Sequence, residues 1–233
     1  MGTSSKKDWP IQFGSAAYLM HIFVDYDGTL TDEDTLDVLT RQAAGEEAWN
    51  EIDECLERGE IQLRDALQQQ LVHVRSSIHE ADTLLQTLVV FDPSFAGFVE
   101  ECHRRNVPVT ILSSGVEELI LLALARNGIR DVPVIANTVE AHQDGWILHC
   151  RDNVPNGTDK AGIVSAARTA GFTTVFIGDG YSDYDAALAA DIRFAKRGRP
   201  LERFLCKHSV EFATFTSFAE ITHTLFSGKH GYG

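Results

Sequence analysis

The sequence predicts an α/β fold: a Rossmann-like core of parallel strands with helices on both faces, plus a small helical cap inserted after the first strand. Three observations predict it. From residue 91 onward, short apolar runs alternate with helical patterns, as they do when strands are joined by helical crossovers. One stretch, 35–90, breaks that alternation: it is rich in Leu, Ala, Gln and Glu, holds no Pro, and has only two glycines, Gly45 and Gly59. Finally, carboxylates and small polar residues follow the apolar runs, at the strand ends where open α/β sheets bind ligands.

The elements follow in order. The first strand is read as Tyr18–Val24. In 35–90, Leu63, Ala66, Leu67, Leu71 and Val74 recur at helical spacing. The stretch reads as three or four helices, broken near Gly45, Gly59 and Ser76-Ser77. In "FDPSF" (91–95), Asp92 is expected to cap the next helix, with Pro93 at its first position. That helix covers about 94–105 and precedes a strand at 107–112, where Pro108 is tolerable only near the start. A helix over about 116–127 ends at Asn127-Gly128, a C-terminal stop. "VPVIA" (132–136) is the next strand, and 137–150 reads as a hairpin turning at Asp144-Gly145. A helix over about 159–170 leads to the strand 173–178, and further strand–helix units complete the chain. The division is therefore a core of 18–34 and 91–227, a cap of 35–90, a loose arm of 1–17 and a frayed tail of 228–233.

Composition bounds the partners. The chain has 233 residues, 44% of them hydrophobic, enough to bury a sizeable core. Its 34 acidic residues against 20 Lys and Arg leave a net charge of -14. That field repels nucleic acid and anionic membranes, so neither is an expected partner. A phosphate-bearing ligand would need a local cation. The four cysteines, at 55, 102, 150 and 206, are too far apart for a Cys-x-x-Cys site and read as reduced thiols. No apolar run approaches the ~20 residues of a membrane span, and Lys6 stands where a myristoylation motif wants Ser or Thr. A soluble, cytoplasmic protein is expected. No pattern speaks to its oligomeric state.

The strand ends carry the chemistry. "DYDGTLTDED" puts Asp25 and Asp27 after the first strand, Ser113, Ser114 and Gly115 follow the second, Lys160 opens a helix, and "GDGYSD" puts Asp179 and Asp183 after "TTVFI". In an extended chain residues two apart face the same way, so Asp25 and Asp27 can share one pocket. Paired ionised carboxylates repel. Mg²⁺, a hard cation that prefers one or two carboxylates with water and phosphate, relieves that repulsion. Asp179 would add an oxygen, Lys160 a second positive charge and Ser113 a hydroxyl. Such a set suits phosphoryl transfer: one carboxylate attacks phosphorus, the other handles the proton, and the cations screen the phosphate. Gly28 permits a tight turn whose amides can contact phosphate.

In order, "DYDGTLT", "LSSG", Lys160 and "GDGYSD" resemble the four motifs of the haloacid dehalogenase superfamily of phosphatases. Singly, each motif says little; the ordered set, each at a strand end or helix start, is specific. The resemblance implies Asp25 as nucleophile and Asp27 as general acid/base. Ser113 and Lys160 would hold the transferring phosphoryl group. Mg²⁺ would take Asp25, the Asp27 carbonyl and Asp179, supported by Asp183. Gly28, Thr29, Asp34, Ser114 and Gly115 are the expected substrate-side residues. The helical insert resembles the cap of the phosphoserine-phosphatase-like branch. Within that branch, "DYDGTLTDED" and the segment from Arg193 resemble the methionine-salvage phosphatases acting on 2-hydroxy-3-keto-5-methylthiopentenyl-1-phosphate. The expected partner is then a small phosphorylated metabolite. Two departures count against phosphoserine: Asp34 stands for the branch's cap glutamate, and the cap arginine falls on Gln70, with Arg64 nearby.

Simpler readings compete at several positions. Asp32, Glu33 and Asp34 suit a helix start, where acids meet the positive end of the dipole. Ser113 and Ser114 could be helix caps. Trp49, Arg58 and Arg64 read as ordinary amphipathic-helix residues, and His142 and His149 as structural. A phosphotransferase would need the same residues as a phosphatase. A non-catalytic phosphate and Mg²⁺ sensor is disfavoured by the presence of both Asp27 and Lys160.

Overall fold

The computed structural model describes residues 19–226. The expected N-terminal arm, Tyr18 and the C-terminal tail lie outside the described residues. Among the described residues, seven strands form one sheet: β1 (Met20–Val24), β2 (Val109–Val116), β3 (Val134–Glu140), β4 (Ile147–His149), β5 (Thr173–Gly178), β6 (Ile192–Lys196) and β7 (Ala213–Phe215). Their order is β4-β3-β2-β1-β5-β6-β7. Every neighbouring pair is parallel except β3 and β4. The topology reverses direction around β1, with β2 on one side and β5 on the other. That is the switch point at which open α/β sheets form their crevice.

Alternation along β1 explains the two covered faces. Ile22 and Val24 join a core that includes Phe95 and Phe98 of α5 (Phe95–Arg104), Ile120 of α6 (Glu117–Arg126) and Phe218 of α10 (Phe218–Phe226). Phe23 points the other way. It packs with Val164 of α7 (Lys160–Thr169), Ala186 of α8 (Tyr184–Ala189) and Leu201 of α9 (Pro200–Lys207). No helix among the described residues is long and apolar enough to cross a membrane.

Between β1 and α5 run four helices: α1 (Thr35–Ala44), α2 (Glu46–Glu57), α3 (Leu63–Leu71) and α4 (Ile78–Leu88). Gly45 and Gly59 stand at the breaks with φ of 90° and 69°, values most side chains avoid. Ser77 starts α4 through a capping box with Glu80. The insert has its own apolar cluster, with Leu36, Leu39, Leu67, Leu71 and Leu85, which reaches Leu119 and the fully buried Trp146. The Trp146 indole donates to the Ser76 carbonyl, 2.8 Å.

Three local expectations are corrected. Asp92 does not cap α5: its carboxylate accepts from the Ser94 amide and hydroxyl and from the Phe218 amide, tying α5 to α10. The helix starts only at Phe95, two residues after Pro93. The hairpin turn is not the two residues Asp144-Gly145. Residues 141–146 form the connection, because Trp146 must leave the strand register to reach the core. Ser113, Ser114 and Gly115 do not follow β2 but lie within its last turn of pleat, where its register with β3 shifts between Leu112 and Val116.

Candidate active site

The chain leaves the sheet at Asp25, whose amide still donates to Ile177 of β5, 2.9 Å. The Tyr26 carbonyl then collects the amides of Thr29, Leu30 and Thr31, so the chain turns sharply. Tyr26 is buried in the core, while Asp25 and Asp27 line a cavity between the sheet and the inserted helices. Gly28 sits in the turn with φ 72°, and a side chain there would also collide with the Asp179 carboxylate. Gly115 is constrained in the same way: a Cβ would meet the Asp27 carboxylate.

Lys160 is the hub of the sheet side. Its Nζ lies 2.7 Å from Asp25 Oδ1 and 2.7 Å from Asp183 Oδ1, and donates to the Ser182 hydroxyl at 3.0 Å. Only 2% of Lys160 is exposed. Burial alone would lower its pKa, but Asp183 and Asp25 outweigh that and hold it above the ordinary lysine value. Asp183 Oδ2 also accepts the amides of Asp179 and Gly180, which shapes the loop after β5.

Asp25, Asp179 and Asp183 each offer a carboxylate oxygen within 4.8 Å of the others, and all three are buried. One lysine cannot balance three carboxylates. Burial, then repulsion from Asp183, raises Asp25 well above the carboxylate range. The same two causes push Asp179 up to about 7. An all-oxygen, electron-rich, under-compensated cluster is what a hard divalent cation needs. The residues therefore fit Mg²⁺.

Asp27 has a different setting. Its Oδ1 accepts the Thr35 amide (2.9 Å) and hydroxyl (2.6 Å) from the start of α1. Burial raises its pKa, against those two hydrogen bonds. Across the cavity Ser113 Oγ accepts the Gly115 amide, 2.9 Å. The Ser114 hydroxyl is buried and has no hydrogen-bond partner.

The expected site residues thus gather at one place, in two layers. Asp25, Asp27, Gly28, Asp34, Ser113, Ser114, Gly115 and Asp179 line the cavity. Lys160 and Asp183 stand directly behind Asp25. Thr29, expected on the substrate side, is fully buried beneath and donates to Asp179 Oδ1, 3.2 Å; it supports the site rather than lining it. Asp34 caps α1, accepting the amides of Leu36 and Asp37, and still borders the cavity.

Other lining residues escape a strand-end search. The cavity measures about 370 Å³, and its far wall is made by Asp37, Trp49, Ile52, Asp53 and Gln70 of the insert. Trp49 is therefore not an ordinary surface residue, whereas Arg58 pairs with Glu54 and Glu60 outside, and Arg64 with Asn153. Asp37 was discoverable, since it lies in the first turn of α1, three residues after the capping Asp34. Lys196 ends β6, another strand end, and Arg199 follows it. Arg199 borders the cavity and approaches Asp179, 3.9 Å. Lys196 Nζ donates to three main-chain carbonyls, Gly28 (2.7 Å), Thr29 (3.0 Å) and Thr31 (2.8 Å), and so pins the turn after β1. His142 and His149 both lie near Glu140, away from the cavity.

Residues 22–188 match the haloacid dehalogenase-like hydrolase family. Pdp3-interacting factor 1 of Schizosaccharomyces pombe is 32% identical, over 87% of this chain and 93% of that protein. Polyol phosphate phosphatase PYP1 of Saccharomyces cerevisiae is 31% identical, over 86% of this chain and 90% of its own. The 2-hydroxy-3-keto-5-methylthiopentenyl-1-phosphate phosphatase of Brevibacillus brevis is 26% identical, over 83% and 90%. Among solved structures, a substrate-bound phosphoserine phosphatase superposes with a TM-score of 0.68 at 18% identity, over 87% of this chain and 96% of the other, a likeness of fold. The chain belongs to the haloacid dehalogenase-like hydrolases, and it is a phosphatase.

Proposed function

We propose that the protein hydrolyses the phosphate monoester of a small metabolite through a phosphorylated Asp25. The observation that carries this reading is the pairing of two unlike carboxylates at one cavity. Asp25 is held by Lys160 at 2.7 Å, with Asp179 and Asp183 beside it; Asp27 is held apart from them by the Thr35 amide and hydroxyl. The first, beside a cation, suits a nucleophile; the second, outside that cluster, suits a group that gives and takes a proton.

In the first step an Asp25 oxygen forms a bond to phosphorus while the ester P–O bond breaks, and Asp27 gives its proton to the departing alkoxide oxygen. In the second, water attacks the aspartyl-phosphate; Asp27 takes a proton from it, and the P–O bond to Asp25 breaks to release inorganic phosphate. Lys160, 2.7 Å from Asp25, with Ser113 and the unpartnered Ser114 hydroxyl, would meet the phosphoryl oxygens in this reading. Asp25, Asp179, Asp183 and the Asp27 carbonyl are the residues that would hold Mg²⁺. When bound, Mg²⁺ supplies positive charge that lets a phosphate dianion approach a carboxylate. Residues 35–90 act as a cap over this site, excluding water from the first step.

The substrate reading draws on the relatives, whose names describe a polyol phosphate and a hydroxy-keto-methylthio phosphate. We place this chain's substrate among the phosphate esters of such uncharged alcohols, with 2-hydroxy-3-keto-5-methylthiopentenyl-1-phosphate as one candidate; phosphoserine, whose tail is charged, is the runner-up. The test is phosphate release from an aryl phosphate by wild type and Asp25→Asn, with Mg²⁺ and with EDTA. Wild type should turn over only with metal, and Asp25→Asn should fall by at least ~10³-fold. Activity surviving Asp25→Asn would reject this nucleophile. Products formed in added glycerol separate a hydrolase from a phosphotransferase.

A further inference from the structure

We propose that Arg199 is a positioning residue that ties the Asp179 carboxylate to the linker between core and cap, so that a metal held at the strand ends also sets the cap. The inference rests on the phosphatase reading of the site. Three observations carry it.

The first is where Arg199 is held. It closes the tight connection from β6 to α9: Gly198 turns with φ 79°, and the Arg199 amide donates back to the Lys196 carbonyl at 3.3 Å. Just beyond it, the Leu201 amide donates to the Asp179 carbonyl at 2.8 Å. The main chain around Arg199 is therefore docked on the loop that carries Asp179. The second is what the guanidinium reaches. Its Nε lies 3.9 Å from Asp179 Oδ2, and its Nη2 donates to the Asp32 carbonyl. Its charge favours the ionised form of Asp179. A planar fork of donors can serve a carboxylate and a carbonyl together, which a single ammonium cannot do as well. Arg41, the other arginine bordering the cavity, is engaged by Glu33 at 2.5 Å.

The third is what Asp32 belongs to. The two connections between core and cap run side by side. Thr31 pairs with Phe91 in an antiparallel bridge. The Asp32 amide donates to the Val90 carbonyl at 3.1 Å, and the Val90 amide donates to the Asp32 carboxylate at 2.8 Å. Asp32 thus joins both connections, and Arg199 grips it there.

These contacts make a path from the metal site to the cap. Without a cation, Asp25, Asp179 and Asp183 repel one another around a single lysine. The Asp179 side chain is then held only by the Thr29 hydroxyl and Arg199 among the described residues. Once Mg²⁺ fixes Asp179, the carboxylate steadies the guanidinium, and the guanidinium steadies the Asp32 carbonyl. The linker in turn sets how closely Trp49, Ile52 and Asp53 of α2 approach the cavity, and to these lining residues we assign contact with the substrate. Linkage makes the effect reciprocal: a steadied linker tightens the metal.

The test needs no turnover. Mg²⁺ affinity is measured by calorimetry on the full chain for wild type, Arg199→Met and Arg199→Lys. Amide hydrogen exchange at Asp32 and Val90 is followed by NMR, without Mg²⁺ and at saturation. In wild type, Mg²⁺ should slow exchange at both amides by ~3- to 10-fold. Arg199→Met should weaken Mg²⁺ by ~10-fold, as for other partners of metal-ligating carboxylates, and saturating Mg²⁺ should then leave both amides exchanging as in the metal-free protein. Arg199→Lys keeps the charge and loses the fork, so it should recover most of the affinity and little of the linker response. Tighter Mg²⁺ binding by Arg199→Met would overturn the proposal, because Arg199 would then act only as a charge that repels the cation. A linker response that survives in Arg199→Met would overturn it too. A wild type that binds Mg²⁺ and hydrolyses an aryl phosphate while its linker ignores the metal rejects this proposal and keeps the phosphatase reading. Mg²⁺ binding with a responding linker but no hydrolysis of any phosphate ester does the reverse.

Discussion

The sheet half and the helical half of the cavity are both lined with carboxylates, yet they hold them differently. On the sheet side Asp25, Asp183 and Lys160 are at most 4% exposed and locked to one another. Lys196 braces the turn that follows Asp25, and Thr29 donates to the neighbouring Asp179. On the helical side, Asp37 has one side-chain amide and an indole beside it, and Asp53 makes no ion pair among the described residues. Helix α2, which carries Trp49 and Asp53, buries a single residue, Ile52. The contrast teaches a division of labour. Reacting groups need positions held to a fraction of an ångström, so they sit on strand ends with several restraints each. The groups to which we assign substrate contact sit on a lightly anchored helix, at the low end of local stability.

That division can be broken most severely at Asp27. Asp27→Asn keeps the Thr35 contacts possible but removes the proton, and kcat should drop by ~10²- to 10⁴-fold for every substrate that is turned over. A loss confined to one class of phosphate ester would place Asp27 in selection rather than chemistry. Next comes Lys196, which does not line the cavity. Lys196→Met leaves three turn carbonyls without their donor and frees Gly28 from its place against Asp179. We expect kcat to fall ~10- to 100-fold with a smaller change in KM, and Lys196→Arg to restore part of it. No rescue, together with an unchanged kcat-to-KM pattern, would reduce Lys196 to a stabilising residue.

The smallest effects sharpen the comparison. Ile177, fully buried in β5, and Ile52, the anchor of α2, can each be cut to Ala. Ile177→Ala should destabilise by ~2–5 kcal/mol and lower Tm by ~5–15 °C. Ile52→Ala should lower Tm by roughly half as much and raise KM several-fold, because α2 loosens without unfolding the sheet. Equal Tm losses would mean the insert and the sheet melt as one unit.

Much of the fold was legible because it is written in local patterns. The switch from helical spacing at Leu63, Ala66 and Leu67 to a short apolar run at Thr173–Gly178 needs no tertiary information, nor do the helix breaks at Gly45 and Gly59. The misreadings came from residues whose partners are far away in sequence. Asp92 looks like a cap for α5, but one of its oxygens goes to Phe218, 126 positions on. Trp146 looks like a strand residue, yet its indole seeks Ser76 and pulls the hairpin connection longer.

The same line divides the site. By itself the sequence determined which carboxylates and serines end up at the strand ends and that Lys160 opens a helix, because strand period and element termination are properties of a few consecutive residues. It also determined the acidic balance that makes a local cation necessary. Only the tertiary structure decided that Lys160 would bridge Asp25 to Asp183, that Lys196 would brace the turn from 165 to 168 residues away, and that Trp49 would turn its indole toward Asp37. Those contacts join segments that share no local pattern; they exist because the sheet order puts β5 beside β1 and β6 beside β5, and because the insert folds back over the strand ends.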